Sequence, residues 1–335
     1  MQQAPGRARP VGRAVAFLGV TAAAVVAASG AASDHLIFAA PAVVTIPADT
    51  AADSARADGS SLLAALGIDT LFGLSGKLHA RFLAPSPAPS VGSPGTSVFA
   101  RLFGDSAASI PGIYSVPDDI TGRSFAYITL VPFDSKNNGR IGDYRIGYWP
   151  GERRAPRSEA YGNPDGFIVV TPENQDTRIS DHFRLRDFLT HDQRAVWPKY
   201  LVLRAELIDK LELVIDELGA RDVLVERMVV MSGFRTPQYN ANGGQTAGRA
   251  SLSRHMYGDA ADIFVDNNGD GRMDDLNGDG RVNTRDAKVL HDAAERVEKV
   301  YPALVGGIGV YRANSSHGPF AHIDVRGSRA RWGAL

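Results

Sequence analysis

Two short segments hold three histidines and three aspartates at spacings that could grip a metal ion. The first reads Ser253-Arg-His-Met-Tyr-Gly-Asp-Ala-Ala-Asp262, and the second reads His317-Gly-Pro-Phe-Ala-His-Ile-Asp324. Ala260–Val265 has strand composition, so Asp262 should face the same way as Ala260 and Phe264. The small Ala260 and Gly258 leave room there for an ion and its water. The stretch 321–325 also reads as a strand, which puts His322 and Asp324 on one face. Two imidazoles and one carboxylate suit zinc, and three protein ligands leave a fourth position open for water, as in catalytic zinc sites. With a single anionic ligand the metal keeps positive charge, so it can polarise a peptide carbonyl and make its water more acidic. The chain contains no cysteine, which excludes disulfides, thiol catalysis and Cys-ligated metals.

A second constellation is of the hard-metal kind. Asp275, Asn277 and Asp279 occupy positions one, three and five of a calcium-loop pattern. Gly280 supplies the sharp turn, Arg281 a backbone carbonyl, and Asn283 and Asp286 close the pattern. Asp266, Asn268 and Asp270 begin the same pattern in a shorter register. The expectation is a structural Ca²⁺ held by an insertion at 266–286, although Asp, Asn and Gly also dominate ordinary surface turns.

The surroundings of the first constellation carry a family resemblance. Ser232-Gly-Phe-Arg-Thr-Pro237, then Ser253–Asp262, then Phe320-Ala-His-Ile-Asp324 closely resemble zinc D-alanyl-D-alanine carboxypeptidase-like peptidases. These share a superfamily with lysostaphin-type endopeptidases and hedgehog domains. The resemblance implies that His255, Asp262 and His322 are the zinc ligands. It also implies that Arg235 orients the substrate, pairing with a carboxylate or polarising a carbonyl. Many members place an acidic general base three residues before the last ligand, where this chain has Pro319. Two residues could take over proton transfer. His317 titrates in the useful range, and Asp324 shares the strand face of His322, where it could equally orient an imidazole. The activity implied is hydrolysis of peptide bonds in peptidoglycan stem peptides, as a carboxypeptidase or cross-link endopeptidase. The alternative is a zinc-holding, non-catalytic wall-binding or signalling module, motivated by Pro319.

These residues need elements to position them. Leu203, Leu207, Leu211, Val214 and Leu218 recur at helical spacing before Gly219. A second amphipathic helix covers 287–300, and Met228-Val-Val-Met231 reads as a short strand. Strands mixed with helices, without a regular alternation of the two, predict an α+β fold: a small antiparallel sheet with flanking helices, preceded by a small β-rich unit. The β-rich unit is placed at 98–165 and the zinc domain at 166–335. Tyr144, Tyr148 and Trp149 are read as packing residues, His182 as structural and His291 as surface. His35, His79 and His191 belong to no constellation.

The Pro-, Ser- and Gly-rich run 84–95 marks residues 34–97 as a largely disordered linker. Arg7, Arg9 and Arg13 precede an apolar run from Ala14 to Ala28, and small residues follow. Residues 1–33 therefore read as a signal peptide or membrane anchor. The expected place of work is periplasmic or extracellular. A formal net charge of -1 gives no reason to expect nucleic acid as a partner. The expected partners are stem peptides, with membrane contact only through the N-terminal segment, and the chain is expected to be a monomer.

Overall fold

Along Ala260–Val265, Gly307–Tyr311 and Phe320–Asp324 every second residue is apolar, so each strand has one face for a core and one for other work. The computed structural model describes residues 42–45, 72–84, most of 99–117, 123–243 and 249–334. These all fall within one compact unit, Ile37–Leu335. The expected signal segment and His35 lie outside the described residues. No helix among the described residues is long and apolar enough to cross a membrane.

The N-terminal sheet is built from β1 (Ala42–Thr45), β2 (Ala80–Leu83), β3 (Gly112–Pro117) and β4 (Ser124–Thr129), in the order β1-β3-β4-β2. An aromatic cluster of Phe72, Phe99, Tyr114, Phe125 and Tyr127 packs beside it. Short strands follow: β5 (Val131–Pro132), β6 (Arg140–Ile141), β7 (Tyr144–Arg145), β8 (Gly166–Val170) and β9 (Lys199–Leu201). Two expectations change here. The linker reading of 34–97 does not hold for residues 72–84. Leu78 is buried, the Leu74 and Ser75 N–H groups donate to Asp209 at 2.7 and 2.8 Å, and β2 pairs with β4. The boundary at 165/166 is not a boundary either. Val131, Ile141, Ile146 and Trp149 share one core with Phe167, Tyr200 and Met256, and the Trp149 indole donates to the Met256 carbonyl at 2.9 Å. Packing is thus the role of Tyr144 and Trp149, both buried, whereas Tyr148 is exposed.

The site sheet contains β10 (Met228–Ser232), β11 (Ala260–Val265), β12 (Gly307–Tyr311), β13 (Phe320–Asp324) and β14 (Ala330–Gly333), ordered β10-β11-β13-β12-β14. All its pairs are antiparallel except β12 with β14. The α+β expectation is met. Among the described residues the two long helices are α1 (Ala205–Gly219) and α3 (Thr284–Val300), with the short α2 (Pro237–Asn242) between them. Leu207, Leu211, Val214 and Leu218 of α1 are buried with Leu290, Ala293 and Val297 of α3. They share a core with Ala261, Ile263, Ile308, Val310, Ala321 and Ile323, the apolar residues of the sheet strands. Burying each branched side chain stabilises by about 1.5–3 kcal/mol.

Among the described residues three histidines outside the site lie against carboxylates, His79 with Nε2 2.5 Å from Asp181 Oδ1. His182 is structural as expected, with Nδ1 at 2.6 Å from the buried Glu212. His291, expected on the surface, is buried beside Asp292 instead, because it falls on the inner side of α3 near Leu290 and Ala294.

Candidate metal centre

One row of paired residues runs straight across the site sheet. Ser232 of β10 opposes Asp262 of β11, and Asp262 opposes His322 of β13. His322 opposes Gly309 of β12, and Gly309 opposes Trp332 of β14. Paired residues share a face, so this register alone brings Asp262 against His322 although 60 residues separate them. At Gly309 a Cβ would lie 2.4 Å from the Trp332 indole nitrogen. The missing side chain lets the indole lie over the strand, with its centroid 5.1 Å from that of the His322 ring.

His255 comes from outside the sheet, on the 3₁₀ turn Arg254–Tyr257. The segment 233–235 grips it at both ends. The Arg235 N–H donates to the His255 carbonyl at 3.1 Å, and His255 Nδ1 lies 2.7 Å from the Gly233 carbonyl. Gly258 ends the turn in the left-handed region at φ 66, with a would-be Cβ 2.4 Å from the Val202 carbonyl oxygen, so only glycine fits.

Three donor atoms converge. His322 Nδ1 lies 2.9 Å from Asp262 Oδ1, His255 Nε2 lies 3.2 Å from the same oxygen, and the two nitrogens are 3.2 Å apart. Ligand atoms around a tetrahedral zinc, each about 2.0–2.1 Å from the ion, are separated by roughly 3.3 Å. All three side chains are buried. The opposite ring nitrogens are engaged too, His255 Nδ1 by the Gly233 carbonyl and His322 Nε2 by Asp324 Oδ2 at 3.1 Å. Those bonds fix the tautomers that aim His255 Nε2 and His322 Nδ1 inward. The donor set fits zinc, and it is the one His/Asp/Glu ligand cluster of three found among the described residues.

The two imidazoles are pushed in opposite directions. Burial pushes the His255 imidazole below its ordinary pKa, toward the neutral form a metal needs. Burial works against charge on His322, but hydrogen bonds to Asp262 and Asp324 and their charges push it up to about 9. Burial likewise opposes ionisation of Asp262, yet the two imidazoles hold its carboxyl well below the usual range.

Asp324 is not placed as a base. It accepts from Arg326, from the Gly307 N–H at 2.7 Å and from the Arg326 N–H at 3.1 Å, and these bonds saturate it. Burial would raise its pKa, but His322 and Arg326 hold it well below the ordinary carboxylate value. Its place is behind His322, orienting that ring. Asp324→Asn should therefore lower zinc affinity about 10–100-fold, as measured by competition with a chromophoric chelator. Unchanged affinity would remove this role. Arg235 spends its charge on Asp262, with Nη2 2.5 Å from Oδ2 and Nε donating to Ser232 Oγ at 2.8 Å. The carboxylate it pairs with belongs to the ligand, which shifts its expected role from substrate to site. His317 stands at the rim of the cleft. Its Nδ1 is 2.7 Å from the Gly318 carbonyl and its Nε2 2.8 Å from Asn314 Nδ2. Its ring packs edge-on against Phe320.

A cleft of about 910 Å³ opens over the three ligands. Tyr311, Trp332 and Arg326 line it, and the sequence reading did not single them out. A strand ending in Gly-Val-Tyr could have pointed to Tyr311. Nothing local pointed to Trp332, which needs the β12–β14 pairing to arrive.

The loops at 266–286 turn their oxygens inward on their own backbone. Asp275 accepts from the N–H groups of Gly278, Asp279 and Gly280, Asn277 from Asp279, and Asp279 from Arg281. Asp266, Asn268 and Asp270 repeat this on Asp270, Gly271 and Arg272. Asp286 accepts from Leu276 and Asn283, and Asn283 caps α3. Such bonds satisfy the oxygens of a plain Asx turn as well, so the calcium expectation gains no support.

Residues 186–277 match the family model of Peptidase M15, which supports a metallopeptidase and the resemblance to zinc D-alanyl-D-alanine carboxypeptidase-like peptidases. The family is zinc-dependent. The match takes in Arg235, His255 and Asp262 and ends before His322, which the β11–β13 register adds. No curated protein and no solved structure matches the chain.

Proposed function

From a Peptidase M15 match and a buried His–Asp–His cluster beneath an open cleft, we propose zinc-dependent hydrolysis of peptide bonds in bacterial peptidoglycan stem peptides. The observation that carries it is the convergence of three donor atoms at tetrahedral spacing. When bound, zinc supplies Lewis acidity to the scissile carbonyl and to water. The protein does the rest. Gly233 and Asp324 fix the two imidazoles, Arg235 holds Asp262, and the apolar core that α1 and α3 share with the sheet strands backs this geometry. Asn314 donates to His317 Nε2, which would give up that bond to take a proton at the rim.

The enzyme's partners in this reading are stem peptides or cross-links. Its place of work is outside the cytoplasm, on the strength of the Arg7, Arg9, Arg13 and Ala14–Ala28 pattern. Mass spectrometry of muropeptides incubated with the protein should show loss of a terminal D-alanine, or an opened cross-link. Removing zinc with a chelator should abolish the product, and adding zinc back should restore it.

A second reading, a zinc-holding module without turnover, is favoured by Pro319 and by the commitment of Asp324 to Arg326. Intact muropeptides beside a protein carrying one zinc per chain would select it.

A further inference from the structure

Tyr311 stands at the end of β12, two residues beyond Gly309, so its side chain is on the face that carries His322 and Asp262. Its register partner is Phe320, and the two rings stack with centroids 4.5 Å apart and planes 5° from parallel. That stacking fixes the direction of the phenol. The hydroxyl oxygen accepts from Trp332 Nε1–H at 2.8 Å, and the same indole lies against the His322 ring. The hydroxyl is thereby tethered to a group packed on a metal ligand.

A phenol oxygen that accepts one hydrogen bond still has its own hydrogen to give. Among the described residues that hydrogen has no acceptor, and Tyr311 is 37% exposed in the wall of the cleft. Three other polar side chains there are committed: Arg235 to Asp262, Arg326 to Asp324, and both ring nitrogens of His317 to Asn314 and Gly318. Burial holds the phenol above its ordinary pKa, the Trp332 bond opposes this, and the Asp262 charge adds to it. The group stays a donor across the neutral range.

We propose that the Tyr311 hydroxyl donates a hydrogen bond to the oxyanion that develops on the scissile carbonyl, with Trp332 positioning it. This makes Tyr311 a catalytic residue of the reaction proposed above, on which it rests, and Trp332 a positioning residue. No proton changes hands in this role. The bond strengthens as charge moves onto the carbonyl oxygen and weakens when the carbonyl re-forms.

The test uses the zinc-loaded full chain and two readouts: binding of a phosphinate dipeptide, which presents a tetrahedral anion, and turnover of muropeptides. Tyr311→Phe should keep its zinc and its thermal transition. It should bind the phosphinate about 10–100-fold more weakly and lose about 100-fold in kcat with KM nearly unchanged. Trp332→Phe leaves the hydroxyl but removes the donor that directs it, and should show a smaller loss in both. Should Tyr311→Phe fail to fold, the Trp332→Phe result decides alone. A folded, zinc-loaded Tyr311→Phe protein that binds the phosphinate like wild type overturns the proposal. Wild type that binds the phosphinate with this Tyr311 dependence, yet cleaves no muropeptide, counts against the peptidoglycan reading and leaves the anion contact standing. Failure of zinc-loaded wild type to bind the phosphinate at all overturns both.

Discussion

His255→Ala should cost the protein its zinc, and the proposed metal-dependent hydrolysis should go with it. His255 offers one of the three candidate ligand atoms, and the other two, Asp262 Oδ1 and His322 Nδ1, already lie at hydrogen-bond distance from each other, 2.9 Å. The expected loss of zinc affinity exceeds the about 10–100-fold that outer partners such as Asp324 cost. Hydrolysis should fall to background, an effect of at least about 10⁶-fold if the site accelerates its reaction as enzymes ordinarily do. Metal content per chain and muropeptide turnover, measured on the same preparation, check both parts. A His255→Ala protein that retains one zinc and its activity would show that the metal sits elsewhere. The fold should survive, because the strands that carry Asp262 and His322 are packed by Ile263, Ile308, Val310 and Ile323 rather than by the metal.

Asp259→Ala should do the opposite and destabilise the fold more than any ligand change. Asp259 and Arg254 are a buried ion pair, 0% and 2% exposed. Arg254 bonds Asp259 through Nε at 3.1 Å and through Nη2, and donates through Nη1 to the Ala160 carbonyl at 2.6 Å. The guanidinium also lies 4.8 and 4.6 Å from the ring centroids of Tyr161 and Tyr257, which meet edge to face. Removing the carboxylate strands a desolvated positive charge, at a cost of about 3–5 kcal/mol. Denaturant unfolding should read this as a fall in the midpoint with unchanged slope. The double change Arg254→Met with Asp259→Leu should lose less than Asp259→Ala alone, because it removes both charges and fills the space. A single change that cost under about 1 kcal/mol would mean that water reaches Arg254. Because Arg254 precedes His255, this pair also anchors the turn that presents the third ligand.

Local chemistry is what a sequence shows well, and here it picked out three residues that the fold brings together. His255, Asp262 and His322 were legible because their spacing on candidate strands and their flanking residues form an ordered set. The helices Ala205–Gly219 and Thr284–Val300 were legible from the 3.6-residue recurrence of leucine, valine and alanine. Roles were less legible than identities. Asp324 sits on the expected strand face, yet Arg326 and the Gly307 N–H convert it from a candidate base to an orienting group. Arg235 is in the cleft but turned to Asp262. The linker and domain boundaries misled because Leu74 and Trp149 find their partners, Asp209 and Met256, far along the chain.

The sequence by itself therefore determined which residues could serve as ligands, the strands that hold two of them and the exclusion of thiol chemistry, since residue type and periodicity are properties of neighbours in the chain. Only the tertiary structure decided that Ser232, Asp262, His322, Gly309 and Trp332 lie in one row, and that Tyr311 ends with its hydroxyl on the indole of Trp332. Strand register is set by long-range pairing across up to five strands. A shift of one residue would turn each of those side chains to the other face of the sheet, and no local pattern records which register wins.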